Sequence, residues 1–397
     1  MSSADEPGSR RDRLRIALLS TPQLPVPPPR YAGTERVVAA LAHELGRRGH
    51  EVTLLGPGDS RPECPLIPTI RQSLWSTGYR GDVSAHISIS LARAWAVHAQ
   101  FDVIHSHVET LGLLIARLCP TPIVSTLHGR LDGSGVPDLL DEFDDVPLVA
   151  ISDSQRRWSP RANWVATIHH GLPFADAPVG GEPGNYLALV GRVAPEKGIA
   201  EAIELARMTG LRLRLAAKAY DDLERVLFEQ VVRAAIDEGI VEYVGEVGPG
   251  ERDELLAGAR ATVMLGAWPE PFGLVAIESL ALGTPVIARR AGALPELIEH
   301  HVNGFLVDDL AEASLAVDRA AGLDRVAIRR RARSRFSVER MTDAYEAVYR
   351  SLVAARRPAP VRTTTRAALG VVASGEPAVA AASEPAAAVA TADPRAG

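Results

Sequence analysis

Short apolar, β-branched runs alternate with helical patterns along almost the whole chain, and no other feature constrains the fold as strongly. In the first half, LRIALLS (14–20), EVTLL (51–55), DVIHS (102–106) and PIVSTLH (122–128) read as strands, and PLVAIS and WVATIHH continue the series. Between them, Val37, Leu41 and Leu45 ahead of Gly49, the trio Ile87, Leu91 and Trp95, and LGLLIARL (111–118) fall at helical spacing. Alternation of this kind places parallel strands side by side with helices on both faces, which is a doubly wound α/β domain.

The pattern runs twice. Around 173–185, PFADAPVGGEPGN is rich in Pro, Gly and acids and reads as a linker. Beyond it YLALV, LRLRLA, VEYV, ATVML, PVIA and FLV supply strands, with helical patterns at 199–209, 222–237 and 273–282. A length of 397 residues suits two such domains. The expected organisation is a disordered start (1–13), an N-terminal Rossmann-like domain (14–172), the linker, and a C-terminal Rossmann-like domain (186–337). A final helix (338–355) follows, in which Met341, Tyr345, Val348 and Leu352 share a face, and then an Ala/Pro-rich disordered tail (358–397).

Composition narrows the partners. A net charge of -6 gives no general attraction to nucleic acid, so none is expected. Cys64 and Cys119 are far apart and fit no metal or redox spacing, which suits a reducing compartment. The opening residues carry too short an apolar run for a signal peptide, and no stretch reaches the length of a membrane span, so a cytoplasmic location is expected. Of the 43 basic residues only Lys197 and Lys218 are lysine, as if those two positions want a compact ammonium rather than a planar fork.

Open α/β sheets bind ligands outside the carboxyl ends of their strands, so the residues just after each strand carry the functional expectation. After YLALV comes GRVAPEKG (191–198), where Gly191 allows a turn, Arg192 and Lys197 supply cations and a helix opens near Ile199. Cations beside helix amides suit phosphate. Lys218 ends the neighbouring strand. In the first domain, Gly33 opens a helix after a proline-rich loop and would let a phosphate approach the backbone. Glycine-rich and cationic strand ends facing each other suggest a diphosphate between the domains. The alternative is a solvated loop in which Arg192 and Lys197 pair with Glu196.

In WPEPFGLVAIESLALG (268–283), two acids stand with seven residues between them in an apolar stretch. Glu270 falls in the turn before a helix, beside the backbone amides of Phe272, Gly273 and Leu274, and Glu278 about a turn and a half inside it. Carboxylates accept hydrogen bonds from vicinal hydroxyls, so a sugar and a ribose fit them. Otherwise, Glu270 is a helix-start acid favoured by the dipole, and Glu278 pairs with a nearby arginine.

EPFGLVAIE resembles the E-x7-E element of the retaining family 4 glycosyltransferases (glycosyl transferases group 1) of GT-B fold, and GRVAPEKG resembles their diphosphate motif. The resemblance extends over roughly 14–355. It takes in YAGTERVVAALAHELGRRGHEVTLL, VSTLHG and GALPELIEHHVNGFLV, with Ala32 where a second glycine is often found. It implies two Rossmann-like domains facing across a cleft, the last helix crossing back onto the first, and metal-independent transfer of a sugar from a nucleotide-diphosphate donor to an unidentified acceptor. Arg192 and Lys197 would neutralise the leaving diphosphate, Glu270 with Phe272, Gly273 and Leu274 would grip the transferred sugar, and Glu278 would hold the ribose. His128 would lie near the reacting sugar, Gly33, Thr34 and Lys218 would complete the donor site, and Val244 would sit by the base. Acceptor contacts would come from loops 70–85 and 129–145.

Two rivals share that scaffold: a sugar-nucleotide epimerase or hydrolase, for which no separate acid and base motif is visible, and a noncatalytic nucleotide-sugar binding protein, against which the retained Glu270, His128, Arg192 and Lys197 argue. A two-carboxylate glycosidase needs no paired phosphate loops. The pairs His105/His107, His169/His170 and His300/His301 lack a third ligand at metal spacing, so no metal is expected, and His107, just past a strand, is read toward the acceptor side. The basic run Arg325 to Arg335 is a candidate for weak membrane association, against the alternative of a solvated helix face.

Overall fold

The computed structural model describes residues 13–30, 32–174, 184–219 and 222–355. The expectations for 1–12, for 175–183 of the linker and for the tail lie outside the described residues.

Two parallel sheets form the molecule. The first holds β1 (Arg15–Leu19), β2 (Glu51–Pro57), β3 (Leu66–Ile70), β4 (Val103–Ser106), β5 (Ile123–Thr126), β6 (Leu148–Ala150) and β7 (Trp164–Thr167), in the order β3-β2-β1-β4-β5-β6-β7. The second holds β8 (Tyr186–Arg192), β9 (Arg212–Lys218), β10 (Val241–Tyr243), β11 (Ala261–Met264), β12 (Val286–Arg289) and β13 (Gly304–Val307), in the order β10-β9-β8-β11-β12-β13. Both orders reverse direction beside the first strand of their sheet, the switch point at which doubly wound folds open a crevice. The sequence reading of two doubly wound Rossmann-like sheets is what the structure shows.

Local differences have physical causes. Strand β3 was not read from the sequence because Pro68 interrupts LIPTI, and it is tolerated because β3 is an edge strand. Helix Ser84–Val97 buries Ile87, Ser90 and Ala94 and leaves Trp95 40% exposed, so the expected face is rotated. The pattern at 222–237 forms two α-helical pieces, Asp222–Leu227 and Arg233–Asp237, joined by a π-helical segment over Phe228–Val232.

Helix Thr34–Arg47 buries Val37, Val38, Leu41 and Leu45 against the first sheet and ends before Gly49, whose φ of +91° is the left-handed turn a β-carbon would strain. The final helix, Val338–Ala354, is capped by Ser337 and packs on the first sheet. Tyr349 and Tyr345 are fully buried there, the first 2.7 Å from His105 Nδ1 and the second 3.0 Å from Thr126 Oγ1. Arg48 donates to the Glu339 carbonyl at 2.8 Å, and His50 pairs with Glu346. One buried apolar cluster runs from β1 and helix Thr34–Arg47 through this last helix to Phe272, Ile277 and Leu280 of the second domain.

Candidate active site between the two sheets

A cavity of about 410 Å³ lies where the carboxyl ends of the two sheets meet. The first domain contributes Thr21, Gln23, Ala32, Gly33, Thr34, Glu35, Trp75 and Glu109 to its lining, and the second Gly191, Arg192, Glu196, Lys197, Lys218, Trp268, Glu270, Gly273 and Leu274.

Backbone approach sets this wall. After β8 the chain makes a short 3-10 turn, Pro195–Lys197, and Gly198 (φ +68°) starts helix Ile199–Thr209. A β-carbon on Gly198 would stand 2.2 Å from the Gly266 nitrogen, and one on Gly266 would stand 1.9 Å from the Glu196 carbonyl, so the two loops touch through bare backbone. That contact brings the Lys197 loop beside the loop after β11, and Lys197 Nζ reaches Glu270 Oε2 at 2.8 Å. Gly273 (φ +106°) then opens helix Leu274–Ala281, with no side chain capping it.

All three cations of the cavity are held by carboxylates. Arg192 donates to buried Glu224 at 2.5 Å and to Glu196 at 2.7 Å, and Lys218 donates to Glu246 at 3.1 Å. Arg30 of the first domain reaches the same Glu246 at 3.1 Å and so ties the domains together. Orienting carboxylates fix where positive charge points before a ligand arrives, and an anion entering this wall meets cations already in place.

Of the residues predicted for the site, Gly33, Thr34, Arg192, Lys197, Lys218, Glu270, Gly273 and Leu274 line this one cavity. Four others lie off it. Phe272 is buried beneath, its ring 4.8 Å from His170. Val244 follows β10 and donates its N–H to the Leu215 carbonyl. Glu278 is 3% exposed and pairs through Oε1 with Arg36 of the first domain and, at 3.1 Å, with Arg252, while Oε2 is buried without a partner. The arginine-paired alternative for Glu278 therefore describes its geometry here.

His128 sits in a histidine column instead. Its Nε2 is 2.9 Å from His107 Nδ1, its ring stacks on His170 at 5.3 Å, and the His105 and His107 rings are 3.9 Å apart. Burial pushes the His128 imidazole down to about 3 and holds His105, His107 and His170 well below the ordinary histidine value, so the column is neutral. His107 is completely buried in it, not exposed to an acceptor. Among the described residues no group of three or more His, Cys, Asp or Glu side chains is placed to hold a metal ion.

The sequence reading missed Glu35, Glu109 and Gln23. Glu35 is buried at the helix start and accepts from Thr21 Oγ1 at 2.6 Å, with burial raising its carboxyl above the usual range. Gln23 presents a buried Oε1 without a partner. Glu109 follows β4 in HSHVETLG (105–112), and applying the strand-end rule to that strand would have reached it. From the two loops expected to meet an acceptor, Trp75 lines the cavity and Arg130 lies 3.7 Å over the ring of Trp268.

The basic run folds as helix Arg325–Arg335, but several of its arginines serve the fold. Arg325 is buried and donates to the carbonyls of Ala257 and Ala259, and Arg331 and Arg335 pair with Glu299. Among the described residues no helix is long and apolar enough to cross a membrane.

Two family models match the chain: Glycosyltransferase Family 4 over residues 31–179 and Glycosyl transferases group 1 over residues 177–323. The D-inositol 3-phosphate glycosyltransferase of Saccharomonospora viridis is 28% identical, over 86% of this chain and 95% of that protein. The phosphatidyl-myo-inositol mannosyltransferase of Mycolicibacterium smegmatis is 26% identical, over 77% of this chain and 84% of that one. Among solved structures, AviGT4, a glycosyltransferase involved in avilamycin A biosynthesis, superposes with a TM-score of 0.64 and 27% identity, covering 86% of this chain and 98% of its own.

Proposed function

Because the chain belongs to the glycosyl transferases group 1, with the GT-B fold, we propose that it moves a sugar from a nucleotide-diphosphate donor to a hydroxyl-bearing acceptor, with retention and without a divalent metal. The observation that carries this reading is the interdomain cavity, in which Arg192, Lys197 and Lys218 face Gly33 and Thr34. Three cations on one wall and a glycine-started helix on the other suit a diphosphate, and cations can balance its growing charge where a metal otherwise would.

In this reading the bond from the anomeric carbon to the diphosphate oxygen breaks with its electrons going to the diphosphate, and Arg192 and Lys197 stabilise that charge. Glu270 releases Lys197 to the ligand and accepts hydroxyls of the sugar, with the amides of Phe272, Gly273 and Leu274 beside it. Glu278 takes a ribose hydroxyl on Oε2, which has no protein partner, and Val244 stands toward the base. His128 acts from beneath the sugar as a neutral group. The relatives named for inositol-containing acceptors make a polyhydroxylated ring the first acceptor class to try. Cys64 and Cys119 are free thiols, which fits a cytoplasmic enzyme.

Calorimetry with UDP, GDP, ADP and their common sugar conjugates tests the reading. One nucleotide family should bind wild-type protein and bind the Lys197→Ala variant at least ten-fold more weakly. Folded protein that binds none of them ends the proposal. Turnover of the bound donor with no sugar ever appearing on an alcohol would favour a hydrolase instead.

A further inference from the structure

We propose that the Glu109 carboxylate binds the attacking hydroxyl of the acceptor, which makes Glu109 a catalytic residue supplied by the first domain. The inference rests on the transferase reading above and deepens it.

Glu109 lines the same cavity as Lys197 and Glu270 but comes from the opposite domain. Its φ is +53°, and among the described residues only His301 is another non-glycine in the left-handed region. Backbone of this kind is strained and persists only where surrounding structure holds it. What holds it here is visible. The His128 N–H is shared between the two carboxylate oxygens, at 3.1 and 3.2 Å, so the carboxylate is fixed by the end of the next strand.

The chemistry of the group separates it from Glu270 and Glu196, and Glu35, the other acid of its own domain in this wall, already accepts from Thr21 Oγ1 at 2.6 Å. Glu270 is paired with Lys197 and Glu196 with Arg192, whereas among the described residues no lysine or arginine pairs with Glu109. An uncompensated carboxylate repels a diphosphate, so its place is away from the phosphates. It accepts only, with about four lone-pair positions of which backbone N–H groups use part, so the matching ligand is a neutral group that donates: a hydroxyl. Burial also pushes the Glu109 carboxyl up to about 7, because a charge there is poorly solvated, and a donated hydroxyl hydrogen bond relieves that cost.

During transfer the acceptor oxygen bonds to the anomeric carbon as that carbon's bond to the diphosphate breaks. The diphosphate leaves with the electron pair and takes the acceptor's single hydroxyl proton, so Glu109 orients the hydroxyl up to that transfer, gives up its hydrogen bond there and is unchanged at the end.

The test uses the full chain, the nucleotide sugar that binds wild type, and three nucleophile probes: water, glycerol and myo-inositol. Glu109→Gln keeps the size and one oxygen for the His128 amide and removes the charge. The expected result is donor affinity within two-fold of wild type and a fall in product formation on the order of 100-fold with every probe that wild type uses. Glu109→Asp, which keeps the charge, should recover part of the loss and serves as the second variant if Glu109→Gln melts early. Unchanged turnover in Glu109→Gln overturns the inference. So does a loss of donor affinity equal to the loss of turnover, because Glu109 would then hold the donor. Wild type that binds a donor yet passes its sugar to none of the three probes also counts against it. Failure of any nucleotide sugar to bind wild type defeats the transferase reading first, which keeps the two failures apart.

Discussion

Lys197 Nζ stands 2.8 Å from Glu270 Oε2, so the strand-end lysine and the first acid of the E-x7-E element form one pair inside the interdomain cavity. Both are only partly exposed, and a diphosphate drawing the ammonium away would leave the carboxylate available to sugar hydroxyls. The lysine stem also packs on Gly191, where a β-carbon would lie 3.7 Å from Lys197 Cγ. Lys197→Ala should lower donor turnover by about 100-fold, the scale seen when one preorganised charge-stabilising donor is lost. Lys197→Arg should not restore it, because the wider fork does not fit where a compact ammonium does. Steady-state turnover of both variants decides the point, and an active arginine variant would remove the argument for an ammonium.

Glu278 supports the join between domains through Arg36 and Arg252. All three side chains are mostly buried, so removing the acid deletes the carboxylate that Arg36 and Arg252 share, while Arg252 keeps Asp253 at 2.6 Å. Breaking a buried pair from one side costs about 3–5 kcal/mol. Urea unfolding of Glu278→Ala should show a loss near that size, larger than the effect of Glu270→Ala. A loss below about 1 kcal/mol, the scale of an exposed pair, would mean that the interdomain pair contributes nothing.

Stability should fall in acid. His105, His107, His128 and His170 are neutral in the folded state, with values held below the unfolded value of about 6.5. Below that value the unfolded chain binds protons that the folded chain refuses, so stability is lost as the pH drops from about 6.5 toward 3, each histidine contributing up to about 1.4 kcal/mol per pH unit. Glu109 acts in the opposite sense. Its folded value of about 7 lies above the unfolded one, so it favours the fold below about 4.5 and loses that contribution as pH rises toward 7. Glu35, whose carboxyl burial also raises, acts in the same sense as Glu109, and the four histidines outweigh the two acids. Urea midpoints between pH 5 and 7.5 should rise with pH, and a flat profile would show that the column is solvated.

Gly198→Ala should damage both fold and site. The residue sits at φ +68° with the Gly266 nitrogen 2.2 Å from where a β-carbon would be, so the loop must move. Positive φ on a side-chain-bearing residue costs roughly 1–3 kcal/mol before any clash is counted. A drop of several degrees in melting temperature should accompany weaker nucleotide binding, since the same shift carries Lys197 away from Glu270. Gly210→Ala, also at positive φ but with open space around it, separates strain from collision and should leave nucleotide binding intact.

The sequence by itself determined the layered architecture and the strand-end loops. Period-two and period-3.6 patterns are local, so Tyr186–Arg192, Ile199–Thr209 and Val338–Ala354 appear almost where the residues place them. The motifs around Lys197 and Glu270 were legible for the same reason, each being a short stretch at a strand's end. Tertiary structure alone decided which groups meet. Glu35 became a cavity acid because two sheets face each other, a relation that no local spacing encodes, whereas Glu109 stands after β4, where the strand-end rule reaches it, and only the fold sets it opposite Lys197. Glu278, one helix from Glu270 in sequence, was turned toward Arg36 of the other domain, and His128 was drawn into a neutral column by His107 and His170. Charge neutralisation and desolvation act through space, and folding brings their partners together across tens to hundreds of residues.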